Sequence, residues 1–423
     1  MEFCRKTISF LLFFLLLAGC AQEVDTGQPN RIIVNVASEV DDQDGSAYAP
    51  YKSLVKALEA ANSGDEIYIF PGTYPAQPSA YVEPLCGNCE IHATEVRASV
   101  GYHIKDKSLK IIGSDPDSTI LITGAGYGIL FDHSPGSEIS NVTITGGQRD
   151  LDGQAADAGI VVRYSDVIIE NCKIINNDHL QDSVVVGIGG IFGREGSEIT
   201  IRNNLIENNG WDGIALYRGA KAHIYDNVIN QGRGAGIGIT WDASAIVMRN
   251  RISNYWKGIG TFGNSQAIVT NNCVFDNLGW GIIATGFSMM EVRNNVIAHN
   301  GNCGFAAWSP DARGYVKNNI IVNNGWRDEW VCPCVGVWMN GKLANFPVSY
   351  NNVWNNSDGN YRDMPEWTDK YGNLSVDPQF VDSLDFHLRP TSPLIGQGDP
   401  YYTNLDGTRS DMGAYGGQNA AKK

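Results

Sequence analysis

Between Gly159 and Val337 short apolar runs alternate with glycine and asparagine turns, and the alternation keeps a fixed period. A glycine followed by an apolar residue recurs at Gly190-Ile191, Gly213-Ile214, Gly236-Ile237, Gly258-Ile259, Gly281-Ile282, Gly304-Phe305 and Gly336-Val337, with central steps of 23, 22, 23 and 23 residues. An asparagine column keeps the same step: Asn204, Asn227, Asn250, Asn272, Asn295, Asn319 and, after a longer loop, Asn352. A fixed period of this length predicts a solenoid in which each coil buries its apolar face against its neighbours. The runs, such as EITIRNNLI and SAIVMRNRI, are short and rich in β-branched residues. They predict strands separated by turns, without the leucine scaffold and helical half of a leucine-rich repeat. Stacked asparagines can hydrogen-bond up and down such a stack.

Counting from each glycine as zero, positions one and three are apolar or small, as in Ile214 and Leu216, and strand alternation turns them inward. Positions two and four then face out. Position two dips to Ala215, Gly238 and Gly260, which predicts a low floor. Position four runs through Asp132, Arg163, Arg194, Tyr217, Thr240, Phe262, Thr285 and Trp308, which predicts a wall. Position five adds His133, Tyr164, Glu195, Arg218 and Trp241, and the turn before the strand supplies Trp211, Asp212, Arg233, Trp256, Lys257 and Trp280. Arg163, Arg194 and Arg218 fall in successive coils about 4.8 Å apart, where stacked like charges call for intervening acids or a bound anion. An ordinary solvated face with surface ion pairs accounts for any one of these residues without a ligand.

N-terminal to the repeat, Leu54, Leu58 and Ala61 share one face of a helical segment that leads into a Gly-Asp…Pro-Gly-Thr-Tyr ending. Together with the tail DPQFVDSLDFHLRP…DMGAYGG, this layout resembles the right-handed parallel β-helix (pectate-lyase-like) superfamily of bacterial secreted and lipoprotein carbohydrate-active proteins, over residues 31–395. The resemblance implies an all-β, single-stranded solenoid of about 22–24-residue coils, an N-terminal amphipathic helix cap and a C-terminal closing segment at 396–423. It implies sugar chemistry without fixing a substrate. The Gly-His-Gly of polygalacturonases and the Asp-Pro-His-Asp of alginate epimerases are both missing.

The chain opens with Arg5 and Lys6, then an apolar run from Ile8 to Ala18 that is too short to span a bilayer. Leu17-Ala18-Gly19-Cys20 resembles a bacterial lipobox, which implies a lipoprotein signal peptide at 1–19, lipidation of Cys20 and a tether at 20–30. Ala21 after the cysteine implies the outer membrane, with the periplasmic and outer faces both open. A net charge of −15 argues against nucleic acid as a partner. The expected partners are a polysaccharide and, through the lipid alone, a membrane; the expected state is a monomer. Cys86, Cys89, Cys303, Cys332 and Cys334 suit local disulfides in an oxidising compartment better than a zinc site, and no metal site is assigned. Cys172 and Cys273 sit at strand positions and are expected to be buried. Asp150, Asp152 and Asp157 share one loop and raise Ca2+ as the single candidate cofactor.

The leading chemistry is β-elimination, or C5 epimerisation, on a uronate-containing or anionic glycan. It needs a cation for the carboxylate, a base for the C5 proton and an acid for the leaving oxygen. Arg194 and Arg218 suit the first role; Tyr217, Tyr164, His133 and Lys257 are candidates for the others, and Arg163, Trp211, Trp241 and Trp280 for binding sugar. The alternatives are hydrolysis by Glu195, Asp212 and Asp242 as paired carboxylates, and a glycan-capture or structural lipoprotein with no catalytic groups. The loop 325–335, with Trp326 and Trp330, is expected to overhang one end of the groove.

Overall fold

The computed structural model describes residues 30–85, 94–180 and 183–421. Its strands form three long sheets of 12, 11 and 12 strands wound as one solenoid. Nearly every pairing is parallel and links strands one coil apart, so the chain is an all-β, single-stranded parallel β-helix. The first sheet runs from Arg31–Val34 to Val348–Ser349, the second from Gly72–Pro75 to Asn352–Trp354, and the third from Ser79–Glu83 through Val96–Lys105 to Tyr361–Arg362. The inward column of the third sheet is Ile214, Ile237, Ile259, Ile282, Phe305 and Val337 in unbroken register, and each of these is fully buried.

The glycine column has a steric cause. The residue after each glycine faces the core, and so does the glycine itself, which puts two successive positions on one side of the strand. A Cβ on Gly213 would lie 2.6 Å from Ile229 and 2.7 Å from the carbonyl oxygen of Gly236; one on Gly258 would lie 2.3 Å from Val274. Only glycine fits. The inversion also turns the residue before each glycine outward, so Asp212, Ala235, Lys257 and Trp280 make one row on the outer face.

Corner residues in the left-handed region, such as Asn203, Asp226 and Arg249, precede a buried asparagine in each coil. That asparagine donates its Nδ2 to the Oδ1 of the next coil's asparagine at 2.9–3.1 Å, from Asn204 through Asn227, Asn250, Asn272, Asn295, Asn319 and Asn351 to Asn373. The ladder passes through Asn351 and not Asn352; Asn352 pairs with Ile320 in the second sheet. A second ladder, Asn277, Asn300, Asn324 and Asn356, runs along another corner. It begins again above a gap where Gly232 stands in place of an amide and Tyr255 fills the space; a Cβ on Gly232 would lie 2.3 Å from that ring.

The helix Leu54–Ala60 packs Leu54, Ala57 and Leu58 under the first coil, closing the solenoid's open end as expected. Beyond Arg362 the chain turns back. Phe386, Leu394, Met412 and Ala414 cover Cys273, Phe275, Val296, Ala298, Ile320 and Val322 on the outside of the second sheet. Asn271 donates to the Ala414 and Gly416 carbonyls, and Lys317 pairs with Asp399.

Cys172 and Cys273 are buried, which pushes their thiols up to about 12 and about 11. Cys303, Cys332 and Cys334 are free thiols, contrary to the expected local disulfides. Cys303 and Cys334 turn instead to the backbone carbonyls of Pro333 and Arg327, each at 3.0 Å. Cys86 and Cys89 lie outside the described residues, as do residues 1–29 with the expected signal peptide, the expected lipidation at Cys20 and most of the expected tether.

Candidate functional site

The third sheet's outer face divides into a closed half and an open half. In the closed half Arg163 and Arg194 are not on a groove. Strand Ser79–Glu83 pairs antiparallel with Val96–Lys105 and carries Glu83 into the stack. Arg194, fully buried, donates to both Glu83 carboxylate oxygens at 2.8 and 2.6 Å. Arg163 reaches Glu83 at 3.2 Å and Tyr81 at 3.1 Å, and its Nε lies 3.4 Å from Asp132. Arg218 donates from Nε to Glu195 at 2.8 Å. Three guanidinium groups thus meet three carboxylates, Glu83, Asp132 and Glu195. The expectation that Arg163 and Arg194 bind an anionic ligand is corrected: the intervening acids are there, one of them from outside the repeat. His133 stands beside them, stacked on Tyr164 with its Nδ1 2.9 Å from Asp132.

The open half is a cavity of about 540 Å³ across the coils from Trp211 to Ser309. Gly238 and Gly260 form the predicted floor, and Trp211, Trp241, Trp280 and Trp308 stand around it. Trp256, Trp280, Trp308 and Trp338 pack edge to face along successive coils at 5.8, 5.8 and 5.1 Å between ring centroids. Asp212 rises from the outward row, and its Oδ1 accepts the Ala235 N–H at 2.5 Å. Its Oδ2 leans over Gly238, 3.7 Å from where a Cβ would be. Lys257, two coils on, lays its side chain across Gly260, with Cδ 3.3 Å from the corresponding point. Burial pushes the Asp212 carboxyl up to about 6, against the opposing pull of Lys257 and of the Ala235 N–H. Burial also raises the Tyr217 hydroxyl, which lines the same cavity, so that it stays protonated.

A profile of the right-handed β-helix region matches residues 85–245 and 189–356, more than half of the chain. The chain belongs to the right-handed β-helix family. No curated protein sequence matches it. Among solved structures, this β-helix is similar to the A-module of the mannuronan C-5 epimerase AlgE4 from Azotobacter vinelandii, with a TM-score of 0.53 and 14% identity over 76% of this chain and 87% of that one. It is also similar to the pectate lyase Pel9A, with a TM-score of 0.52 and 16% identity over 92% and 96%. At such identities the likeness is one of fold.

In this β-helix the predicted residues therefore part company. Asp212, Tyr217, Trp211, Trp241, Lys257 and Trp280 converge on the groove. Tyr164, Glu195, Arg218 and Asp242 line a neighbouring cavity that shares Trp241. The expected calcium loop is not assembled. Asp150 accepts from the Ser99 N–H and hydroxyl, Asp152 from the Arg97 and Gln154 N–H groups, and Asp157 from Arg149 and the Asp150 N–H. No group of three such ligands comes together among the described residues. Trp330 packs on Trp256, and Trp326 stacks on His299. Thr240 and Thr285 line the groove as the position-four wall predicts, whereas Glu83 and Thr261 were not foreseen.

Proposed function

We propose that this β-helix acts on a polysaccharide by removing a proton beside a uronate carboxylate, as a lyase or a C5-epimerase. One observation carries the reading: a carboxylate poised at about 6 stands with a lysine on the floor of a tryptophan-walled groove. The Lys257 ammonium offsets the substrate carboxylate as it takes on enolate character, and Asp212 accepts the C5 proton. The Tyr217 hydroxyl gives a proton to the C4 oxygen as that bond breaks, or to the opposite face of C5. A base with a pKa near the working pH combines a substantial ionised fraction with useful driving force. The aromatic walls suit the apolar faces of sugar rings. Of the carboxylates weighed for hydrolysis, only Asp212 lines the groove; Glu195 is held by Arg218, and Asp242 accepts the Gly219 N–H at 2.7 Å. The lipobox-like Leu17-Ala18-Gly19-Cys20 supports an outer-membrane lipoprotein.

The test is incubation with acidic and neutral polysaccharides in deuterated water. Ultraviolet absorbance of a new C4–C5 double bond, reducing ends and deuterium at C5 are followed together. Absorbance or deuterium gain, lost in Asp212→Asn, is the expected result. Reducing ends with neither signal would replace the reading with hydrolysis, and binding without any turnover would replace it with capture.

A further inference from the structure

The neighbouring cavity, of about 500 Å³, is lined by Tyr164, Glu195, Arg218, Trp241, Asp242 and Asn264, among others. Trp241 belongs to both cavities, so a polymer leaving the groove past this ring enters the second space. Lys257 lines the groove and not this cavity, so the sugar unit held at Lys257 lies on the groove side of Trp241. The walls offer two aromatic faces, with Tyr164 40% exposed and stacked on His133. The polar groups are an exposed amide and carboxylate, Asn264 and Asp242. The cation of this cavity, Arg218, is matched by Glu195 at 2.8 Å and lies against the Trp241 ring at 5.6 Å. Among the described lining residues, Asp242 therefore carries the one negative charge in excess.

We infer that this cavity is a second glycan subsite for a neutral sugar unit, which makes the substrate a mixed polysaccharide of uronate and neutral sugars. A carboxylate placed against Asp242 meets like charge, which costs affinity, whereas a hydroxyl group finds an acceptor there. The inference rests on the proton-abstraction reading for its uronate, and Lys257 is the site of that unit.

Binding is measured by calorimetry with the full chain carrying Asp212→Asn. The probes are a homo-oligomer of galacturonate and an oligomer alternating glucuronate with N-acetylglucosamine. The alternating oligomer is expected to bind about tenfold tighter, and Asp242→Lys or Asn264→Lys to erase or reverse that preference at unchanged melting temperature. Two exposed positions are used so that a folding failure at one leaves the other to decide. A preference for the homo-oligomer, or a ratio indifferent to both substitutions, overturns the subsite while leaving the proposed reaction standing. A ratio that responds to both, when the parent protein with Asp212 intact turns over neither oligomer, keeps the subsite and overturns the reaction. If neither oligomer binds, both are overturned.

Discussion

The two halves of the third sheet share strands, register and outward-facing chemistry, yet one is sealed and the other open. In the sealed half Arg163, Arg194 and Tyr127 converge on Glu83, whose side chain has no exposure. In the open half no strand among the described residues crosses the floor, and Asp212 and Lys257 keep part of their surface toward the cavity. The lesson is that a row of charges on a solenoid face becomes a ligand site only where nothing from outside the repeat neutralises it. Burial works against charge in both halves. In one it is compensated by fixed partners; in the other it raises a carboxyl pKa.

Glu83→Ala should have the largest effect on stability. It leaves Arg194 buried without its bidentate partner, and denaturant unfolding should show a loss of about 3–5 kcal/mol. The double variant Glu83→Leu/Arg194→Met, which removes both charges, should recover most of it; no recovery would mean that the pair is not what seals this half. Next comes Asn272→Ala, which cuts the ladder beneath both halves and orphans its neighbours' amides, for about 1–3 kcal/mol. Trp308→Ala should weaken oligosaccharide affinity by about 1 kcal/mol with little change in melting temperature, because its ring serves the open wall.

Asp212→Asn should go the other way. The folded-state carboxyl titrates at about 6, above the unfolded value of 3.8, so the protonated form is the one the fold favours. Its stabilisation is full below pH 3.8 and is lost as pH rises through 6. The variant should thus melt higher than the parent at neutral pH, the gap closing toward pH 4, while turnover is lost. In the parent, kcat/KM should fall as pH drops through about 6, where the base is protonated. A flat acid limb would remove Asp212 from the role of base.

Much of this was legible because it repeats. The glycines report two consecutive inward positions, the asparagines report a corner, and both signals recur often enough to set the register. The row before the glycine gave Asp212, Lys257 and Trp280, although strict alternation would have turned it inward. Glu83 was illegible for a physical reason: it lies 111 residues from Arg194 and 80 from Arg163, on an antiparallel strand outside the period. Asn351 was missed because the long loop 325–335 changes the step at the place where two asparagines stand side by side. The second ladder was hidden by Gly232 and Tyr255, which keep the corner while breaking its composition.

The returning tail changes how the molecule comes into being. A stack of coils can zip up one turn at a time, each new turn needing only the one before it. Here Cys273, Phe275, Val296 and Ile320 remain uncovered until Phe386, Leu394, Met412 and Ala414 arrive, more than sixty positions later for each of them. The segment from Phe386 to Ala414 therefore acts as a latch. A chain halted before that segment presents a greasy stripe down one side, and its arrival is the event that makes the central turns a finished surface.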